Sequence, residues 1–214
     1  SNIPEDISQH FIYSQYLYHI QSEMITTFHN VKPDVLYRSD DIWGYATYNA
    51  NVNNSRGSGN MLNPYYTMVK TKNSNHEDLG LIQMFTPEEK QNIISYLVGT
   101  YEGSNSVLKM YKFSTDSSVL GSMQLDKQIE QDETISTQLK ALNVTGTKVT
   151  KQMIIVPLND TLLYVEPVYQ TMLNESDVPM LKKVIVASGN KVAIGDTLGK
   201  ALSNLLSQYA VDIN

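Results

Sequence analysis

The sequence predicts an α+β fold: a mainly antiparallel sheet built from hairpins, with inserted and flanking helices and a helical N-terminal arm. Three observations carry that reading. Apolar residues at helical spacing mark both ends of the chain. β-Type runs are joined by the short turns Asn159-Asp160 and Gly189-Asn190, which suit antiparallel neighbours. Between the β runs lies a stretch with polar helical patterning, residues 122–142.

Taken in order, Pro4-Glu5-Asp6 opens a short helical turn. Tyr13, Leu17, Ile20, Met24 and Phe28 then predict an amphipathic helix over 14–29, stopped by Pro33. Asp34 to Trp43 reads as one or two helical turns. Residues 49–63 are rich in Asn and Gly, which favour turns, and lack apolar periodicity. They are expected to be a mobile loop. The organisation is therefore an arm over 3–48 packed on the body, a loop over 49–63, and an α+β body over 64–210.

Within the body, Tyr65–Lys70 and Leu79–Phe85 read as a hairpin across the linker 73–78. Thr86-Pro87-Glu88-Glu89 has the form of a capping box with Pro at the first helical position. A helix is expected to follow, with Ile93, Ile94, Leu97 and Val98 as its stripe and Gly99 as its end. Val107–Phe113 reads as a strand. Residues 122–142 read as two helices with a break near Asp132, anchored by Leu125, Ile129, Ile135, Leu139 and Leu142. Two hairpins follow, 148–158 with 161–172 and 182–188 with 191–194. Leu198, Ala201, Leu202, Leu205 and Tyr209 mark a closing helix capped by Asp196 or Thr197.

The 214 residues carry a formal charge of −6 and no Cys. The charge argues against a general phosphate-backbone binder, so no nucleic-acid partner is expected. The lack of Cys removes disulfides, thiolate zinc sites and a Cys nucleophile. A chain this long buries a sizeable core without staples. No apolar run approaches the roughly 20 residues of a spanning helix, and no signal-peptide pattern opens the chain. The start at Ser1-Asn2 reads as a scar of tag cleavage, so a piece of a longer protein is expected.

Glu166 stands in an apolar run, on the strand face of Leu162, Tyr164 and Val168. A carboxyl on an apolar face has a raised pKa and suits acid–base work. The plainer reading is an edge strand, since Pro167 cannot donate to a central ladder, with Glu166 in solvent or paired with a Lys such as Lys183. His19 and Glu23 share a helix face, but two ligands make no metal site. Ser39-Asp40-Asp41 suits helix capping better than a cation. Gly57-Ser58-Gly59 is too short for a dinucleotide fingerprint. No metal or other cofactor is expected. Trp43, Tyr45, Tyr48, Tyr65 and Tyr66 flank the 49–63 loop. Their rings suit either a ligand surface, for a glycan, peptide or lipid headgroup, or packing of the sheet against the N-terminal helices. Trp43, Tyr45, Tyr65 and Tyr66 are the candidate ligand-binding residues.

Several stretches carry a family resemblance. They are Tyr37 to Trp43, Asn63 to Lys70, Met84 to Pro87, Gly121 to Ser136, Leu162 to Tyr169 and Leu181 to Ala187. In this order they resemble the soluble region of the uncharacterised membrane protein family numbered 0182, over nearly the whole chain. The resemblance implies a soluble, extracytoplasmic region of a large prokaryotic integral membrane protein. The partner it implies is the membrane-spanning part of that protein, with a protein or small-molecule ligand as a further possibility. It implies no catalytic residue. Binding, assembly or sensing is thus the expected role, with a hydrolase using Glu166 or an aromatic-lined ligand module as alternatives.

Overall fold

A computed structural model describes residues 3–8, 10–30, 32–38, 41–52, 59–70, 77–88, 90–114, 119–158, 161–173 and 176–211. The helices α1 (Glu5–Ser8), α2 (Gln15–Phe28) and α3 (Pro33–Arg38) come first. Short strands β1 (Trp43–Tyr45), β2 (Thr47–Tyr48) and β3 (Asn60–Met61) follow. Next are β4 (Tyr65–Val69), β5 (Asp78–Pro87), β6 (Ser95–Glu102) and β7 (Asn105–Lys112). After α4 (Ser122–Gln131) and α5 (Glu133–Leu142) come β8 (Thr147–Lys151), β9 (Ile154–Leu158), β10 (Thr161–Met172), β11 (Ser176–Ser188) and β12 (Lys191–Gly195). The chain closes with α6 (Leu198–Val211). The fold is α+β with antiparallel sheets, as the patterning predicts.

The chain divides into two compact units. The first holds residues 1–46 and 62–118. Its sheet runs β1-β5-β6-β7, with β4 also on β5. Every pair is antiparallel. The core gathers Tyr13, Tyr18, Trp43, Leu81, Phe85 and Leu97. Helix α2 starts where the periodicity places it, with the Ser14 hydroxyl accepting from the Leu17 amide at 3.5 Å. It turns a different face inward, however. Tyr18, Ser22 and Thr26 are buried, while Leu17, Ile20, Met24 and Phe28 stay exposed. Burying Ser22 and Thr26 is cheap, because each hydroxyl donates to a carbonyl three residues back, His19 O at 3.0 Å and Glu23 O at 2.7 Å.

The helix expected after Thr86 is not present. Thr86 and Pro87 end β5, the Lys90 amide turns back to Pro87 O at 3.1 Å, and the Ile94 amide donates to Phe85 O at 3.0 Å. Leu97 and Val98 then pair with Gln83 and Ile82 in β6. Glu89, the last residue of the supposed box, lies outside the described residues. A central strand is apolar on both faces, so its run of apolar residues imitates a helical stripe. Gly99 stops no helix. A Cβ there would lie 2.8 Å from ring atoms of Tyr13 and Tyr18, so the missing side chain makes room for two rings.

The second unit holds residues 47–61 and 119–214. Its sheet runs β12-β11-β10-β8, with β9 also on β10, and β2 pairs with β3. Asp132 breaks the 122–142 helix as expected: its Oδ1 accepts from the Ile135 amide at 2.8 Å and caps α5. One face of the sheet meets α4 and α5. There Tyr164 donates to Leu120 O, and Gln170 donates to Leu142 O at 2.6 Å. The other face carries Val184, Val186 and Ala193 against Ala201 and Leu205 of α6. Thr197, not Asp196, caps α6 by accepting from the Lys200 amide at 3.2 Å. The turn residues Asn159 and Asp160 lie outside the described residues.

Gly195 sits where β12 meets α6. A Cβ there would stand 2.5 Å from the Ala201 backbone nitrogen, and backbone cannot swing aside. Gly195→Ala is expected to destabilise this unit by about 1–3 kcal/mol, read as a lower urea midpoint at unchanged slope.

Candidate functional site

In the second unit, three ionisable residues each interrupt an apolar stripe. Asp126 sits among Ser122, Leu125 and Ile129 on the buried face of α4. Lys151 follows Val149 on the buried face of β8. Glu166 lies between Tyr164 and Val168 on the buried face of β10. Register brings them together. Val168 pairs with Lys151, which places the lysine one step along the same face from Glu166. The Lys151 ammonium donates to Asp126 Oδ1 and, at 3.1 Å, to Glu166 Oε2. The three side chains are 6%, 4% and 1% exposed. Asp126 Oδ2 also accepts from the Asn49 amide at 2.8 Å. Among the described residues Glu166 Oε1, which is buried, has no hydrogen-bond partner.

Glu166 pairs with a lysine, as one of the expectations has it, but the edge strand and the choice of Lys183 need correction. The strand of Glu166 is central, flanked by β11 on one side and by β8 and β9 on the other. Pro167 is tolerated because the ladder lapses beside it. β8 ends at Lys151, β9 begins at Ile154, and between them the Gln152 amide donates to Pro167 O at 3.3 Å. In an antiparallel strand a residue's nitrogen and carbonyl point to the same side, so the missing N–H falls where no partner strand needs it. Lys183 is not the partner of Glu166; it binds Asp196 at 2.7 Å.

The electrostatics follow from one cation serving two buried acids. Burial raises the pKa of Glu166, and the Asp126 charge adds to the rise; the Lys151 ammonium opposes both, and the net shift is upward. For Lys151, burial pulls the pKa down, but Glu166 and Asp126 outweigh it and hold the ammonium above its ordinary value. Tyr48 of β2 faces the same cluster. Burial raises its phenol first, then the charges of Glu166 and Asp126. The arrangement holds Lys151 as a cation and favours a proton on Glu166.

A cavity of about 270 Å³ is lined by Thr150, Lys151, Gln152, Tyr169 and Pro179. Thr150 and Tyr169 are register partners that project from the opposite face of the sheet to Lys151 and Glu166. Lys151 is shared by the lining of this cavity and by the cluster.

The aromatic candidates belong to the first unit. Trp43 is buried, and His29 stacks on it with ring centres 3.6 Å apart. Its indole N–H donates to Asp41 Oδ1 at 3.1 Å, and the Lys112 ammonium lies 5.0 Å from its ring centre. The His29 ring is buried, with Nδ1 at 2.9 Å from Ile25 O and Nε2 at 3.1 Å from Asp41 Oδ2. Burial pushes the Asp41 carboxyl up, but contacts with His29, Asn30 and Trp43 hold it below the usual value. Ser39 and Asp40, considered with Asp41 as a cap, lie outside the described residues, as do Gly57 and Ser58. Tyr45 donates to Glu23 Oε2 at 2.9 Å, and Tyr66 donates to Tyr13 O at 2.6 Å. Tyr65 is half-buried opposite Ile82. Trp43, Tyr45 and Tyr66 thus direct their polar tips at the protein itself. Among the described residues no group of three or more His, Asp or Glu is placed to hold a metal ion.

Sequence reasoning found Glu166 and missed Asp126 and Lys151. Their signal was present: a charged residue on an otherwise buried stripe, twice more. It needed the register of β8 on β10 to become a cluster.

Among the described residues no helix is long and apolar enough to cross a membrane, which says nothing of strands. No solved structure matches the chain. It is similar to proteins named "UPF0182 protein". The one from Caldicellulosiruptor saccharolyticus is 32% identical over 99% of this chain and 23% of its own length. That from Desulforamulus reducens is 33% identical over 99% of the chain and 22% of its own length. That from Pelotomaculum thermopropionicum is 36% identical over 98% and 22%. The chain thus spans less than a quarter of the length of these relatives. The model of the family described as "Uncharacterised protein family (UPF0182)" matches residues 1–142, and the chain belongs to that family.

Proposed function

We propose that this chain is a binding and assembly region of a longer membrane protein, extracytoplasmic in location. Its helix α2 docks against the membrane-spanning part of that same protein. The observation that carries this reading is the orientation of α2. Tyr16, Leu17, Ile20, Met24 and Phe28 form one outward stripe, with Met24 56% and Phe28 63% exposed. A contiguous apolar stripe left in water costs free energy and marks a contact surface. The relatives keep more than three quarters of their length outside the matched region, so the same polypeptide has ample chain to cover the stripe. Hydrolysis through Glu166 is less favoured, because its carboxyl is only 1% exposed and is engaged by Lys151.

The chain has no Cys, so an introduced one is a unique label within it. Met24→Cys is expected to react quickly with a maleimide in the isolated chain. In the full-length protein in its membrane, the reaction is expected to be about tenfold slower or more. Equal rates would refute the docking. Lys200→Cys, at an exposed position, tests the location. An impermeant maleimide should label it on intact cells; labelling only after lysis would refute the extracytoplasmic placement.

A further inference from the structure

The buried cluster in the second unit has one cation for two acids. With Lys151 protonated and both carboxyls ionised, it holds one uncompensated negative charge away from water. A proton on Glu166 removes that charge. Among the described residues Glu166 Oε1 has no hydrogen-bond partner, which leaves that oxygen open to the proton.

The cluster is also a fastening. Asp126 Oδ2 accepts from the Asn49 amide at 2.8 Å, and the Ser122 hydroxyl donates to Thr47 O at 2.5 Å. The Lys151 amide donates to Ala50 O at 2.9 Å, and Asn51 bridges to Thr150. Residues 47–51 therefore lie over the cluster, held by α4 and β8. The titratable groups facing Glu166 are Asp126 from α4, Lys151 from β8 and Tyr48 from β2. Tyr48 and Asn49 belong to the covering segment itself.

We infer that the Asp126–Lys151–Glu166 cluster is a proton-operated latch on residues 47–51, closed when Glu166 carries a proton and loosened when it ionises. Ionisation leaves a buried charge that calls for water, and the 47–51 segment is the cover tied directly to the cluster, through the Asn49 amide and Ala50 O, whose loosening would admit it. The sign follows from linkage. The Glu166 pKa is raised in the folded state above its ordinary value of 4.5. Between those two values the folded chain binds a proton that the unfolded chain has released, so stability falls as pH rises through that window. Above the raised value both states are ionised and the loss is complete.

Amide hydrogen exchange, corrected for intrinsic rates, tests the latch. Protection at Asn49 and Asn51 should be about tenfold greater near pH 5.5 than near pH 8 in the wild-type chain. Glu166→Gln keeps the size and removes the charge, so its protection should stay high and vary little with pH. The carboxyl ¹³C shift of Glu166 in the wild-type chain should titrate within this window. An ionised Glu166 at pH 5.5 would overturn the proposal, as would the same pH dependence in wild type and Glu166→Gln. If Glu166→Gln fails to fold, the wild-type ¹³C titration, together with the pH course of Asn49 exchange, decides it alone. A titrating Glu166 with unchanged Asn49 exchange would also overturn it.

Discussion

Lys151→Met is expected to destabilise the second unit by about 3–5 kcal/mol, the cost typical of breaking a buried ion pair from one side. Lys151 supplies the ammonium for both Asp126 and Glu166, and each of the three side chains is at least nine-tenths buried. Methionine fills the aliphatic volume, so the cavity contribution is small and the loss is electrostatic. Two acids are left facing each other without a cation. The variant should recover part of its stability at low pH, where Glu166, whose pKa burial already raises, takes up a proton, and urea unfolding near pH 5 and pH 8 would show this. The triple variant Asp126→Leu, Lys151→Met, Glu166→Leu should regain most of the loss, because an apolar replacement leaves nothing buried and charged. Equal stability of Lys151→Met and wild type at pH 8 would mean that water reaches the cluster.

Tyr18→Ala is expected to destabilise the first unit by about 3–5 kcal/mol. Tyr18 is fully buried where α2 meets the sheet, edge-on to Tyr13 at 5.9 Å between ring centres. Its ring fills the space that Gly99 leaves over β6, and its hydroxyl donates to Leu97 O at 2.8 Å. Burial pushes the phenol far above its ordinary pKa, so it remains a donor at any working pH. Tyr18→Phe keeps the ring and should cost only about 1 kcal/mol, the usual worth of one hydrogen bond. Calorimetry of both variants separates packing from hydrogen bonding. By contrast, Met24→Ala on the exposed stripe of α2 should change stability little in the isolated chain. That contrast reads out which face of α2 the fold uses.

Much of the architecture was legible because its signals are local. Asp132 caps α5 through a bond to an amide three residues away, and the break was visible in the sequence for that reason. The hairpin of β11 and β12 turns at Gly189-Asn190, as its turn residues state. The capping motif at Thr86 was equally local and was overruled, because the run is used as a central strand, paired on both edges by β5 and β7 and buried on both faces, whereas a lone helix buries one. The face that α2 buries was not legible either. Its apolar stripe is the obvious inward face, yet Ser22 and Thr26 satisfy their own hydroxyls within the helix and so go inside at small cost.

What the sequence determined by itself was the class of fold, the family and Glu166 as an anomaly, all carried by composition, order and short-range spacing. What only the tertiary structure decided was the meaning of that anomaly. Asp126, Lys151 and Glu166 lie on a helix and two strands, with Asp126 25 and Glu166 15 positions from the lysine. No local rule joins them. The register of β8 on β10 and the seating of α4 do, because a charge leaves water only where its partner is already held in place.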